Sequence, residues 1–167
     1  MIRKDDLAAL MVQECDICIH LHSKLGPQSA SYRPSEGQRT SVELLRYLAI
    51  CGIAGIRCMA DKNWKQFRQF TDRVATMSVE EFPAAMARQR EEIREFFAGI
   101  GEAELENQEA PLPGGGTRPL GIAILAGPFK WLTAYKLQLF LYAKASGASG
   151  IGTANAWAGI DAPPRTS

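Results

Sequence analysis

Between Ser41 and Ala60 the chain reads SVELLRYLAICGIAGIRCMA, and this run limits the fold more than any other stretch. Wound as a helix, it is apolar on nearly every side. Only Glu43, Arg46 and Arg57 form a narrow polar stripe. A helix hydrophobic all round has to be surrounded, so it is predicted to be the central one of several. Its start is marked by TSVE at 40–43, a capping box. The Thr40 hydroxyl can accept from the Glu43 backbone, and the Glu43 carboxylate can reach back.

The other segments supply the partners. Asp5 or Asp6 can cap a first helix that runs to about Lys24, with Gly26-Pro27 as its stop. GPQSASYRPSEGQR is a polar loop. A shorter amphipathic helix is expected from Trp64 to Ala75. SVEE at 78–81 is a second capping box, opening a helix to about Ala98 that Gly99 and Gly101 end. EAELENQEAPLPGGGTRP reads as a long loop with a role beyond connection. Thr117 and Pro119 open the last long helix, which is expected to kink at Gly127-Pro128 and to stop at Gly147. Residues 147–167 read as an irregular tail, with Trp157 tucking it onto the body. Few runs alternate with period two. The pattern predicts an all-α protein, an up-down type four-helix bundle with a short extra helix, in one domain spanning 1–167.

Bulk properties exclude several function classes. Of the 167 residues 46% are hydrophobic and 22% charged, and the net charge is +1. A nucleic-acid-binding chain usually carries a large basic excess, so no nucleic-acid partner is expected. MIRKDDLAAL has no apolar stretch long enough for a signal peptide. LGIAILAGPFKWL is the most apolar window, too short and too interrupted to span a bilayer, so no membrane partner is expected. Four cysteines without a secretion signal point to free thiols in a reducing compartment, and the expected location is cytoplasmic. PGGGTRP lacks the Gly-Lys-Ser/Thr ending of a phosphate loop and reads as a flexible connector over one end of the bundle.

ECDICIHLH at 14–22 gathers two cysteines, two histidines and two carboxylates in nine residues. Helical projection separates them. Leu7, Leu10, Met11, Cys15, Ile17, Cys18, Leu21 and Leu25 form the core arc, while Gln13, Asp16, His20, Ser23 and Lys24 face water. Glu14 and His22 fall inside the apolar arc, and with Cys18 they stack at i, i+4, i+8. Two readings stay open: Glu14 and His22 lie near helix ends or are satisfied by loop backbone, or both line a cavity in the bundle. On the last helix Trp131, Tyr135, Gln138 and Tyr142 share a face, with Lys130, Lys136 and Lys144 away from it. On the second helix Tyr47, Cys51 and Cys58 share a face. Val79, Phe82, Met86, Ile93 and Phe97 form the stripe of the SVEE helix, with Arg90 intruding as a candidate counter-charge to Glu14.

Two stretches carry a family resemblance. YRPSEGQRTSVELLRYLA resembles the Trp/Tyr-x-Pro turn and Ser-Val-x-x-Leu-x-His-Leu helix of DinB-like proteins. AYKLQLFLYAKASG resembles their last helix, His-Arg-x-Gln-Leu followed by Tyr-Leu-Arg and a glycine. The resemblance implies a four-helix bundle, often dimeric, so a homodimer is expected. Many such proteins hold a divalent metal on three histidines, and several are metal-dependent transferases or hydrolases, among them thiol S-transferases and a mycothiol-dependent isomerase. Carried over, the metal positions are Tyr47, Trp131 and Tyr135, none of them histidine, while Gln138 matches the family glutamine. A catalytic metal needs about three protein ligands and an open position. The resemblance therefore implies a chain without the usual metal or other cofactor, in which an aromatic-lined central cavity takes a small apolar or aromatic ligand. Its lining would include Tyr47, Trp131 and Tyr135, with Glu14, Cys18, His22, Arg90 and Gln138 as further candidates. One alternative is a transferase or hydrolase with relocated chemistry. Glu14, His22 and cysteines from Cys15, Cys18, Cys51 and Cys58 would hold zinc or nickel, or His22 would activate a Cys18 thiolate. The other alternative is a structural dimer with a filled centre and no small-molecule site.

Overall fold

A computed structural model describes residues 3–162; residues 1–2 and 163–167 lie outside it. The chain is helical: α1 (Lys4–His22), α2 (Ser41–Ala60), α3 (Phe67–Arg73), α4 (Phe82–Gly99), α5 (Glu102–Asn107), α6 (Leu120–Ile124), α7 (Lys130–Ala145) and α8 (Thr153–Ala158). A two-stranded antiparallel sheet, β1 (Glu109–Pro111) and β2 (Thr117–Pro119), pairs Ala110 with Arg118. Four helices make the bundle. Both α1 and α2 pack on α4 and on α7, so the consecutive pair α1 and α2 sits across the diagonal. The connection from 23 to 40 therefore crosses one end of the bundle.

The α2 helix begins and ends where TSVE and the apolar pattern place it. Thr40 Oγ1 accepts from Glu43 N at 3.3 Å, and Glu43 Oε2 accepts from Thr40 N at 2.7 Å. From Leu44 to Met59 almost every side chain is buried. Its polar stripe is used. Arg46 Nε donates to Met77 O at 2.9 Å, and the Arg57 guanidinium lies 5.3 Å from the Phe96 ring.

Some elements depart from the expectation. The second capping box is half made: Glu81 Oε2 accepts from Ser78 N at 2.7 Å, yet α4 begins at Phe82 with Pro83 in its first turn. The 64–75 segment is one 3₁₀ turn, Trp64–Gln66, followed by α3. The long loop holds α5 and the β1–β2 hairpin, anchored where Gln108 Nε2 donates to Ala60 O at 2.6 Å. Pro111 and Pro119 argue against strands by sequence, but at three residues each these strands leave the prolines at their ends. The tip needs glycine, because Gly115 and Gly116 have φ of +94° and +78°. The last long helix starts at Leu120 rather than Thr117 and continues through Leu125–Phe129 as a wide π turn containing Pro128. Proline has no N–H to give the preceding turn, and the wide turn absorbs that loss. Gly147 closes α7 at φ +113°.

The tail carries a helix, α8, laid on α1 and α7. Trp157 does not tuck inward; it is 56% exposed. Its ring covers Lys136, whose Nζ lies 5.0 Å from the ring centroid. Asn155 is buried in α8 beside Ala156, and its Nδ2 donates to His20 Nε2 and to Asp161 Oδ1, both at 2.9 Å. His20, expected to face water, is thus roofed by the tail.

Candidate functional site

Tyr47 on α2 and Tyr135 on α7 meet edge to face, with ring centroids 4.8 Å apart. Trp131, one turn before Tyr135, lies 6.3 Å from Trp64. Close approach of the two helices makes this possible. A Cβ built on Gly55 would come within 2.6 Å of the Trp131 ring and 2.7 Å of Pro128. A Cβ on Gly127 would meet the Met59 Cε at 2.5 Å. Glycine at 55 lets the wide turn and Trp131 seat against α2, whereas a side chain at 127 would have to displace the Met59 methyl.

The three positions Tyr47, Trp131 and Tyr135 therefore come together, but on a flank rather than in an enclosed centre. Tyr47, Trp64, Phe67 and Trp131 line one side of an open groove of about 650 Å³, and Pro111, Leu112, Pro113 and Gly115 of the hairpin line the other. An adjoining groove of about 410 Å³ runs from Trp131 to Tyr135 past Lys130. The glycine-rich hairpin is thus the second wall of an aromatic cleft, not a connector over a bundle end. The interior that the expected central cavity would have occupied is filled by Leu48, Cys51, Phe82, Met86, Ile93, Leu132 and Leu139, all fully buried.

Arg39 completes the cluster. Its guanidinium lies 4.6 Å from the centroid of Tyr47 and 5.4 Å from that of Tyr135. The backbone beneath is held by a relay in which Gln138 Nε2 donates to Tyr142 Oη at 2.7 Å and Tyr142 Oη donates to Arg39 O at 2.9 Å. Gln138 therefore acts on the cluster through Tyr142 and does not line the groove. Burial pushes the Tyr47 phenol above its ordinary value, and neighbouring Cys51 and Tyr135 add to the shift while Arg39 opposes it. The phenol stays protonated at neutral pH.

The remaining sequence candidates go elsewhere. Glu14 faces α7, and its Oε2 lies 2.8 Å from Lys136 Nζ. Lys136, expected away from the inner face, is 1% exposed. Its aliphatic stem packs in the interior while the ammonium reaches the carboxylate, as long lysine chains permit. Arg90 does not answer Glu14; it pairs with Asp16 at 2.5 Å. His22 Nε2 donates to Val79 O at 2.8 Å, and its ring packs at 5.3 Å from Phe82. So of the Glu14–Cys18–His22 ladder, one member turns to α7, one to the start of α4, and Cys18 stays in the core. The reading in which His22 is satisfied by loop backbone is the one observed.

All four cysteines are free and buried. Burial pushes the Cys15 thiol up to about 12 and the Cys58 thiol up to about 11, and it holds Cys18 and Cys51 well above their ordinary value too. No thiolate is generated near His22. Among the described residues no three His, Cys, Asp or Glu side chains gather in a way that could hold a metal ion. The donor set at Tyr47, Trp131 and Tyr135 does not suit a divalent cation. Indole cannot ligate, the Tyr47 phenol is protonated, and Arg39 already brings a positive charge against both tyrosine rings.

Two residues escaped the sequence reading. Arg39 was hidden in a polar loop, with only its place just before the TSVE cap to distinguish it. Gln89 is fully buried on α4, where its Nε2 donates to Leu48 O at 2.8 Å and its Oε1 accepts from Gly52 N at 2.9 Å. Its signal was present: it continues the Phe82, Met86, Ile93 stripe at helical spacing.

No family model matches the chain. No curated protein matches it either. Among solved structures, the crystal structure of a DinB-like protein from Bacillus subtilis, YjoA, superposes with a TM-score of 0.67 at 15% identity, covering 84% of this chain and 91% of that one. At that identity the likeness establishes the fold: the chain has a DinB-like helical bundle. None of the helices among the described residues is long and apolar enough to cross a membrane.

Proposed function

We propose that this DinB-like bundle is a small-molecule binder whose ligand, apolar or aromatic, enters the open groove between α2, the 64–67 turn and the β1–β2 hairpin. The convergence of Tyr47, Trp64, Phe67, Trp131 and Tyr135 on one cleft carries the reading. Ligand sites are mostly apolar concavities with a few placed polar groups, and aromatic rings give large contact area with little entropy to lose. The cleft lies at the positions where the DinB resemblance would place a metal. The reading is metal-free, because a protonated Tyr47 phenol, an indole and a resident guanidinium stand where a divalent ion needs donors.

Two measurements test it. Mass-spectrometric metal analysis of the purified protein should find zinc and nickel far below one equivalent; a stoichiometric, tightly held ion would overturn the metal-free reading. Calorimetric titration with aromatic probes should show binding that Trp131→Ala weakens by at least tenfold. Trp131 is only partly buried, so its truncation should cost about 2 kcal/mol of stability, below the roughly 3–5 kcal/mol of a fully packed aromatic. A variant that folds and binds as before would remove the groove from the function.

A further inference from the structure

The groove is aromatic, but its electrostatics are one-sided. The residues lining both of its parts include no aspartate or glutamate, while Lys130 lies along it and Arg39 stands against the two tyrosines that line its two parts. Arg39 is exposed, and among the described residues its guanidinium donates no hydrogen bond and meets no carboxylate. The nearest acid in sequence, Glu43, is already engaged: its Oε2 accepts from Thr40 N and Thr40 Oγ1, and Arg33 Nη2 lies 3.4 Å away. A cation without a counter-ion is ordinarily left to water. This one lies 4.6 Å and 5.4 Å from the centroids of two aromatic rings, and its backbone is tied to α7 through Tyr142 and Gln138. A guanidinium held against aromatic rings and making no hydrogen bond of its own among the described residues has its N–H groups free for a planar acceptor.

We infer that the ligand of this groove is an aromatic carboxylate, with Arg39 pairing its carboxylate while the ring system lies among Trp131, Trp64 and Tyr47. This rests on the small-molecule reading above and names the ligand's chemical class. A carboxylate fits better than a phosphate. One guanidinium matches one planar, singly charged group, and the nearby start of α2 offers little to a second charge because Glu43 takes the Thr40 amide. Arg39 is here a binding residue, and Gln138 and Tyr142 are positioning residues that act through its backbone.

The test uses three probes of one ring system on the full chain by titration calorimetry: 2-naphthylacetate, neutral 2-naphthylacetamide, and 2-naphthyl phosphate. The acetate should bind at least tenfold tighter than the amide. Arg39→Gln should abolish that difference, and a variant that keeps the tenfold ratio would overturn the pairing of Arg39 with the carboxylate. Because Arg39 is exposed, the variant should fold, and the native protein's own acetate-to-amide ratio stands without it. Equal binding of acetate and amide by the native protein would overturn the carboxylate assignment and leave the groove reading intact. A phosphate that binds tenfold tighter than the acetate would also overturn it, in favour of a phosphorylated aromatic. Failure of all three probes to bind would overturn both readings. Gln138→Leu separates positioning from contact: it should weaken the acetate and spare the amide, whereas equal weakening of both would refute the relay.

Discussion

At the scale of single residues, the Glu14–Lys136 pair shows how charge can be placed inside a helical core. Two ions taken from water lose several kcal/mol of hydration each, and their attraction returns this only while both are present. Glu14→Leu and Lys136→Met should therefore each destabilise the protein by about 3–5 kcal/mol by leaving the other charge unpaired, whereas the double change should recover most of that loss. Urea unfolding of the three variants measures it; an additive double mutant would refute the coupling. The thiols give a pH signature. Cys15 titrates near 12 in the folded chain against an ordinary value near 9. Below pH 9 both states keep the proton, so the thiol does not favour either. Between pH 9 and 12 the unfolded chain releases a proton that the folded chain retains, so stability falls as pH rises, by up to about 1.4 kcal/mol per pH unit. Cys15→Ala should flatten the alkaline decline of the melting temperature measured by calorimetry.

At the scale of elements, what was legible in the sequence was whatever local chemistry decides. The α2 boundaries follow from a cap and an unbroken apolar run, both short-range. The kink at Gly127-Pro128 follows from a missing N–H. The joining of Tyr47 to Trp131 and Tyr135 was legible only through the DinB resemblance, since nothing local says which helices are neighbours. Lys136 and His20 were misplaced for one reason. Helical projection assigns every polar residue opposite the apolar arc to water, and it cannot see that α8 returns to cover that side. The hairpin was missed because three-residue strands with prolines at their ends carry no alternation to detect. Gly55 illustrates how an element depends on one absent atom. Gly55→Ala should push Trp131 out of the groove floor, cost about 1–3 kcal/mol by overpacking, and weaken aromatic probes without replacing any group that binds them. Unfolding curves together with titration check both halves.

At the scale of the whole molecule, the diagonal placement of α1 and α2 leaves α4 and α7 as the two walls that each must pack against both. The α4 wall is built on Gln89, Phe82 and Ile93. The α7 wall has to serve two purposes at once. One side of it carries Trp131 and Tyr135 to the groove, and another carries Lys136 to Glu14 under the α8 roof. Both assignments depend on how far the helix has been turned when it leaves Leu120–Ile124. The wide turn at Leu125–Phe129 sets that angle, because it lodges one residue more than a regular turn would hold. One residue is about 100° of rotation. The turn therefore keeps the phase between two halves of a single rod: one alanine inserted after Phe129, with no second wide turn to take it up, should bring every side chain from Lys130 onward round by about a quarter turn. Circular dichroism would then report nearly the same helix content, while the aromatic groove and the buried ion pair would be lost together. Two features that touch no common residue would fail as one, because a single wide turn keeps both in phase.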